Sequence, residues 1–127
     1  MSEELYKYLW TFFESLNFKY ALGSHKKFPG YPYYVGEVTT ETPGAEDGLI
    51  TINFTLTGTN RSAKEILIKN SLTLQKALSP VGLKGKLSNG NCFAIMYLGG
   101  QFVPTLSDEI ERKEDYLVIK EWRAING

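Results

Sequence analysis

Side chains that commonly carry out acid–base or nucleophilic chemistry are scarce in this sequence. The chain has one histidine, His25, and one cysteine, Cys92, which are far apart in sequence. A catalytic histidine needs a nucleophile and an orienting acid, and a zinc site needs further histidine or cysteine ligands. Neither arrangement surrounds His25, and Cys92 lies in an apolar run that ends at Leu98. We predict a solvated loop histidine, a small buried thiol and no enzyme. An enzyme centred on His25 or Cys92 is the minor alternative.

Three carboxylates, Glu41, Glu46 and Asp47, lie close together around one turn. Glycoside hydrolysis needs two carboxyl groups across a cleft, and a calcium loop needs oxygen ligands at alternate positions. The turn shows neither pattern, so a solvated acidic loop is the prediction. The chain also lacks Gly-x-Ser-x-Gly, His-Glu-x-x-His, Cys-x-x-Cys, Walker and dinucleotide motifs. We expect no metal and no cofactor.

The composition limits the number of domains and the classes of partner that the chain can bind. At 127 residues the chain suits a single domain, 1–127. Its 14 basic and 14 acidic residues cancel, so there is no net field to attract nucleic acid or an anionic membrane. No apolar run has the roughly 20 residues that span a bilayer. A lone cysteine and an acidic N-terminus favour a soluble protein in a reducing cytoplasm.

The clearest element is a strand in the segment Gly48–Gly58. Ile50, Ile52, Phe54 and Leu56 alternate there with Thr51, Asn53, Thr55 and Thr57. This pattern predicts one buried and one polar face. The β-branched and aromatic segment Tyr33–Thr42 precedes it, and Pro43–Gly48 favours a turn between the two. We therefore predict a long hairpin with the acidic residues at its tip.

Two helices flank this hairpin. The spacing of Leu5, Leu9, Phe12, Phe13 and Leu16 predicts the first helix, with Ser2 as its cap. The sequence Ser62-Ala-Lys-Glu65 predicts a capping box for the second, which Pro80 ends.

The remaining segments predict short strands and loops. Strands are expected near Phe18–Leu22, Cys92–Leu98 and Tyr116–Arg123; loops are expected over 81–91 and 107–115; Gly99-Gly100 is a turn or bulge, followed by a further edge segment over 101–106. Together these elements predict an α+β fold: an antiparallel sheet of about four or five strands with two helices packed on one face.

The order of these elements resembles a known family. An N-terminal helix, an aromatic and proline-rich lead-in (Phe28–Val35), a hairpin with an acidic tip, a threonine-alternating strand, a capped helix and final strands ending at Trp122-Arg123 are similar to the tail-terminator, or tail-completion, proteins of long-tailed bacteriophages and prophages. The resemblance covers nearly the whole chain and rests on element order.

This resemblance implies a non-enzymatic virion protein, assembled in the bacterial host cytoplasm and located in the tail. Members of the family form a hexameric ring that caps the tail tube and meets the head-side connector proteins. The chain's expected partners are then further copies of itself, the tail-tube protein and the connector. Tube contact is assigned to the loop with Glu41, Glu46 and Asp47, and the subunit interface is assigned to five aromatic residues: Tyr6, Tyr8, Trp10, Tyr33 and Trp122.

Two alternatives stay open. The same fold can serve as a small-molecule- or peptide-binding module, with Tyr31, Tyr33 and Tyr34 lining a pocket. Other phage neck and tail components share this size and α+β character. A deep apolar pocket favours the binding module, and flat exposed patches favour assembly.

Overall fold

The computed structural model describes residues 1–44, 48–79 and 81–123. Within these residues the chain forms two helices and six strands. In chain order they are α1 (Glu3–Ser15), β1 (Tyr20–Leu22), β2 (Tyr33–Pro43), β3 (Ile50–Arg61), α2 (Glu65–Leu78), β4 (Leu83–Lys86), β5 (Cys92–Val103) and β6 (Ile110–Trp122).

All six strands belong to one sheet, in the order β1-β2-β3-β6-β5-β4. β1 runs parallel to β2, and every other pairing is antiparallel. The α+β class is confirmed, and the expectation of four or five strands is corrected to six. The longest pairing joins β3 to β6, from Ile50 opposite Glu121 to Arg61 opposite Ile110.

The alternation predicted for β3 is confirmed. Ile52, Phe54 and Leu56 are buried on one face of the sheet, and Ile50 is half-buried beside them. Phe13 of α1 stacks on Phe54, with ring centroids 6.1 Å apart, and Leu67 of α2 belongs to the same apolar cluster. Both helices therefore cover this face. The opposite face carries the threonines, although Thr55 and Thr59 are nearly inaccessible there.

α1 forms as its sequence predicts. The Ser2 hydroxyl oxygen accepts a hydrogen bond from the backbone N–H of Leu5 at 3.2 Å, which satisfies one of the free donors of the first turn. Leu5, Leu9 and Phe13 are fully buried. They place the apolar stripe of α1 against the sheet.

The capping box predicted at Ser62 is wrong. α2 begins at Glu65 after Lys64, and no side chain in the described part of the chain caps it. Ser62 has a left-handed backbone, with φ of 68°, and its N–H donates to the carbonyl oxygen of Glu109. Because β3 continues to Arg61 and pairs there with β6, Ser62 forms the turn that leaves the sheet.

Three boundaries on the C-terminal side also differ from the predictions. The expected loop over 81–91 contains β4, a four-residue strand. β5 runs from Cys92 to Val103, so the start of the segment expected over 101–106 continues this strand, whereas the bulge expected at Gly99-Gly100 is present between Tyr97 and Gly99. β6 begins at Ile110, inside the expected charged loop. Long-range pairing thus overrides the glycines and charges that locally favour loops.

The acidic turn lies mostly outside the described residues. Glu46 and Asp47 are among the residues that the structure does not describe. Glu41 lies in β2, where its exposed carboxylate forms an ion pair with the N-terminal ammonium of Met1.

Candidate protein-contact surfaces

A buried polar cluster joins α2 to the sheet. The Asp115 carboxylate, 2% exposed, accepts hydrogen bonds from the Ser71 hydroxyl at 2.8 Å and from the Tyr97 hydroxyl at 2.7 Å. Lys113 forms an ion pair with the same carboxylate at 2.7 Å, and its ammonium also donates to the Ser71 oxygen at 2.8 Å. Each of these groups gains a partner that offsets the cost of leaving water.

This cluster contains a serine beside a lysine, but its hydrogen bonds do not favour nucleophilic catalysis. A serine nucleophile needs a neighbour that takes its proton. Lys113 donates to both Ser71 and Asp115, while the Ser71 proton is directed at a buried carboxylate. Burial and the hydrogen bond to Asp115 raise the pKa of Tyr97, so its phenol stays protonated as a donor. The cluster is best explained as a structural contact that holds α2 against β6 through buried hydrogen bonds and an ion pair.

The sequence carried a signal for this cluster that our predictions missed. Leu117 and Ile119 mark the buried phase of β6. Continuing that alternation backwards places Asp115 and Lys113 on the same face. Ser71 likewise interrupts the apolar stripe of α2. Polar residues on two buried faces indicate an internal network.

His25 stabilises a loop. Its Nε2 lies 3.1 Å from the carbonyl oxygen of Lys19 and 2.9 Å from that of Tyr34. Carbonyl oxygens only accept, so this ring nitrogen carries a proton and bridges the starts of β1 and β2. Cys92 is half-buried, not buried as predicted, and pairs with Trp122 of β6 at the start of β5. The structure does not bring these two residues together.

An aromatic cluster lies on the loop between β1 and β2. The Phe28 ring packs edge-on against Tyr31 and Tyr33, at centroid distances of 4.9 and 5.9 Å. Phe28 is 65% exposed and Tyr31 is 37% exposed. Tyr34, expected in the same cluster, instead points to the helix-covered face and is 2% exposed. We call Phe28, Tyr31 and Tyr33 the aromatic loop surface.

A second apolar surface lies on α2 and the neighbouring β5. Ile68 and Leu72 are about half exposed on the outer side of α2. Leu98 of β5 is 61% exposed and borders a concavity of about 570 Å³ that Leu78 and Met96 also line. We call Ile68, Leu72 and Leu98 the α2 surface.

The aromatic residues predicted for a subunit interface are spread over the molecule. Tyr8 packs edge-on against Phe93 at 4.8 Å, whereas Trp10 faces outward and is 52% exposed. Tyr6 and Trp122 are half-buried. Tyr33 belongs to the aromatic loop surface. Their role in an interface stays a prediction. Trp10 has the most exposed large ring among them.

Two kinds of feature are absent from the described residues. No group of three or more histidine, cysteine, aspartate or glutamate residues in the described ranges is placed to hold a metal ion. No helix among 1–44, 48–79 and 81–123 is long and apolar enough to cross a membrane.

Comparison with known proteins gives no assignment: no family model matches the chain, and no curated protein does.

Proposed function

We propose that the chain is a structural protein of a long-tailed phage or prophage, which caps the tail tube as a hexameric ring and takes part in joining the tail to the head. It performs no catalysis in this role. The order of its sequence elements, which resembles the tail terminators, motivates the proposal.

The observation that carries the proposal is the distribution of exposed apolar side chains. They form the aromatic loop surface at one edge of the sheet and the α2 surface near the other, with Trp10 exposed on α1. Exposed apolar patches mark contacts with other proteins. A ring subunit that also meets a tube and a connector needs several such surfaces. The two patches that contact its neighbours in the ring must differ from each other.

The arrangement favours assembly over the binding of a small ligand. Ligand sites enclose most of their ligand and place a few polar groups inside an apolar cleft. Here Tyr34 is turned away from Tyr31 and Tyr33, so the three tyrosines expected to line a pocket do not converge. The rings that remain form a projecting surface.

In the proposed ring, the hairpin of β2 and β3 reaches towards the tube. Glu41 stands near its end, and the sequence places Glu46 and Asp47 at the turn. This assignment of the tube-contacting residues is part of the proposal.

Light scattering during size exclusion, with and without the tail-tube protein of the same genome, tests the proposed function. We expect a ring either alone or on tube ends. The variant Phe28→Ser with Tyr31→Ser should weaken assembly or tube capping, because it removes the apolar area of the aromatic loop surface. Leu106→Ser is the matched control, since Leu106 is fully exposed on a separate loop. A protein that stays monomeric and never associates with tubes would contradict the proposal.

A further inference from the structure

The face of the sheet away from the helices carries a cluster of lysines. Lys84 of β4 stands opposite Ala94 of β5, which in turn stands opposite Lys120 of β6. Ile95, beside Ala94, is buried on the helix-covered face, so this row of three residues points to the other face. Lys86 lies two residues beyond Lys84 in β4 and shares its face. We call Lys84, Lys86 and Lys120 the lysine patch.

The three lysines are close enough to act together on one anionic surface. Lys84 and Lys86 are about 7 Å apart along their strand, and Lys84 and Lys120 are about 10 Å apart across two strand spacings. Only the methyl group of Ala94, which is buried, lies between these last two. Lys84 and Lys86 are exposed and Lys120 is half-buried. Their flexible stems let the ammonium groups adjust to the spacing of a ligand's charges.

No carboxylate in the described part of the chain neutralises the lysine patch. None of the three lysines forms an ion pair with a described residue. Glu121, next to Lys120 in sequence, faces the helix-covered side, where its carboxylate accepts a hydrogen bond from Asn91. The patch belongs to three adjacent rows of side chains on the helix-free face, and the described residues of these rows include no aspartate or glutamate. The rows consist of Lys86, Cys92 and Trp122; of Lys84, Ala94, Lys120, Thr51 and Thr42; and of Met96, Val118, Asn53 and Thr40.

The zero net charge of the chain does not cancel this local charge. On β6, the nearest carboxylate of the helix-free face belongs to Glu114, about 20 Å along the strand from Lys120. On β2, Glu37 lies in the row of Thr55, beyond the three rows of the patch. Both separations exceed the Debye length of about 8 Å at physiological ionic strength. The patch therefore attracts anions in spite of acidic residues elsewhere.

The composition of the three rows fits phosphate groups better than an acidic protein surface. Protein interfaces have an apolar core, whereas surfaces that contact nucleic acid are polar and strongly positive. Met96 and Trp122, the largest apolar side chains of the rows, are both half-buried. The rows also offer the hydroxyl groups of Thr42 and Thr51, and hydroxyl groups commonly donate to phosphate oxygens.

We propose that the lysine patch binds the phosphate backbone of nucleic acid. Each ammonium pairs with a phosphate oxygen and releases counterions condensed on the nucleic acid. Contacts of this kind carry no sequence information, so the binding is independent of base sequence. It goes beyond the proposed role in tail assembly and uses neither the aromatic loop surface nor the α2 surface.

Fluorescence anisotropy of a labelled DNA duplex, titrated with the chain at several salt concentrations, tests this site. Three phosphate contacts predict a slope of about −2.7 for the logarithm of the association constant against that of the salt concentration. Lys84→Gln with Lys86→Gln removes two contacts, so the slope should shrink to about −0.9. The dissociation constant at low salt should rise at least about tenfold. A duplex of unrelated sequence should bind the wild-type chain equally well.

Lys26→Gln with Lys27→Gln is the matched control. It removes the same charge from two exposed side chains on the loop between β1 and β2, and it should bind the duplex as the wild-type chain does. Thermal unfolding checks that both variants fold. Equal weakening by the two variants, or no binding by the wild-type chain at low salt, would overturn the assignment of the patch.

Competition with polyglutamate distinguishes phosphate from carboxylate recognition. Unlabelled duplex should displace the labelled duplex at a lower concentration of charge than polyglutamate does. If polyglutamate competes equally well or better, the patch recognises an acidic chain and the assignment to nucleic acid is wrong. Tube capping is measured without nucleic acid, so each of these results leaves the proposed function to its own test.

Discussion

Among the polar residues described, Asp115 should contribute most to the free energy of unfolding. Asp115→Asn keeps the shape but removes the charge that Lys113 faces at 2.7 Å. Both side chains are well buried, and removing the charge of one partner in a buried ion pair destabilises the folded state by about 3–5 kcal/mol. We expect the free energy of unfolding in urea to fall by about that amount.

Ser71→Ala is the matched control for this prediction. It removes the hydrogen bond that Ser71 donates to Asp115 and the one that it accepts from Lys113 but leaves the ion pair intact, so its cost should be about 2 kcal/mol. If Asp115→Asn were no more destabilising than Ser71→Ala, the ion pair would not be what holds α2 against β6.

The buried tyrosines should make stability fall at high pH. Burial raises the pKa of Tyr34 to about 12 from 10.0 in the unfolded chain, and burial also raises the pKa values of Tyr20 and Tyr97. Above pH 10 the unfolded chain therefore loses phenolic protons that the folded protein retains. Linkage makes the free energy of unfolding decrease as pH rises from about 10 to about 12.

Urea unfolding measures how the free energy of unfolding changes with pH. The pKa values above set the range, roughly pH 9 to 12. Tyr97→Phe should reduce the slope of stability against pH, because one of the shifted phenols is gone. A slope as steep as that of the wild-type chain would show that Tyr97 does not contribute.

Gly36 of β2 packs directly against aromatic side chains of the core. A Cβ built at Gly36 would overlap the Phe54 ring and stand 2.7 Å from Cε1 of Tyr20. Gly36→Ala should therefore destabilise the protein by about 1–3 kcal/mol, since a packed core accommodates an added methyl poorly. Calorimetry should show a lower Tm than for Glu37→Ala, an exposed change at the next position of the strand. Equal Tm values would contradict the packing described.

Elements with strong local patterns were predictable from sequence. The alternation of Ile52, Phe54 and Leu56 is sufficient to predict β3 and its buried face. The spacing of Leu5, Leu9 and Phe13 does the same for α1.

β4 and the first half of β6 were not predictable in this way. Leu83-Lys-Gly-Lys86 has no local strand preference, and its pairing with β5 depends on register across the sheet. The charged residues that open β6 favour a loop locally, yet Lys113 and Asp115 face inward because they pair with each other.

As a whole, the molecule presents several contact surfaces on one scaffold. Two helices cover one face of the sheet, and the aromatic loop surface and the α2 surface are exposed to solvent. Subunits that meet through two different surfaces can follow one another around an axis. This geometry agrees with the proposed role as a ring at the end of a tube.

Tail-tube length is the most direct test of that role. Tube subunits from the genome that encodes this chain are polymerised with and without it and imaged by electron microscopy. We expect added chain to shorten the tubes and to place a ring at one end of each. The variant Phe28→Ser with Tyr31→Ser should shorten the tubes less than the wild-type chain does, and the control Leu106→Ser should act as the wild-type chain. Tubes of unchanged length with bare ends would contradict the account.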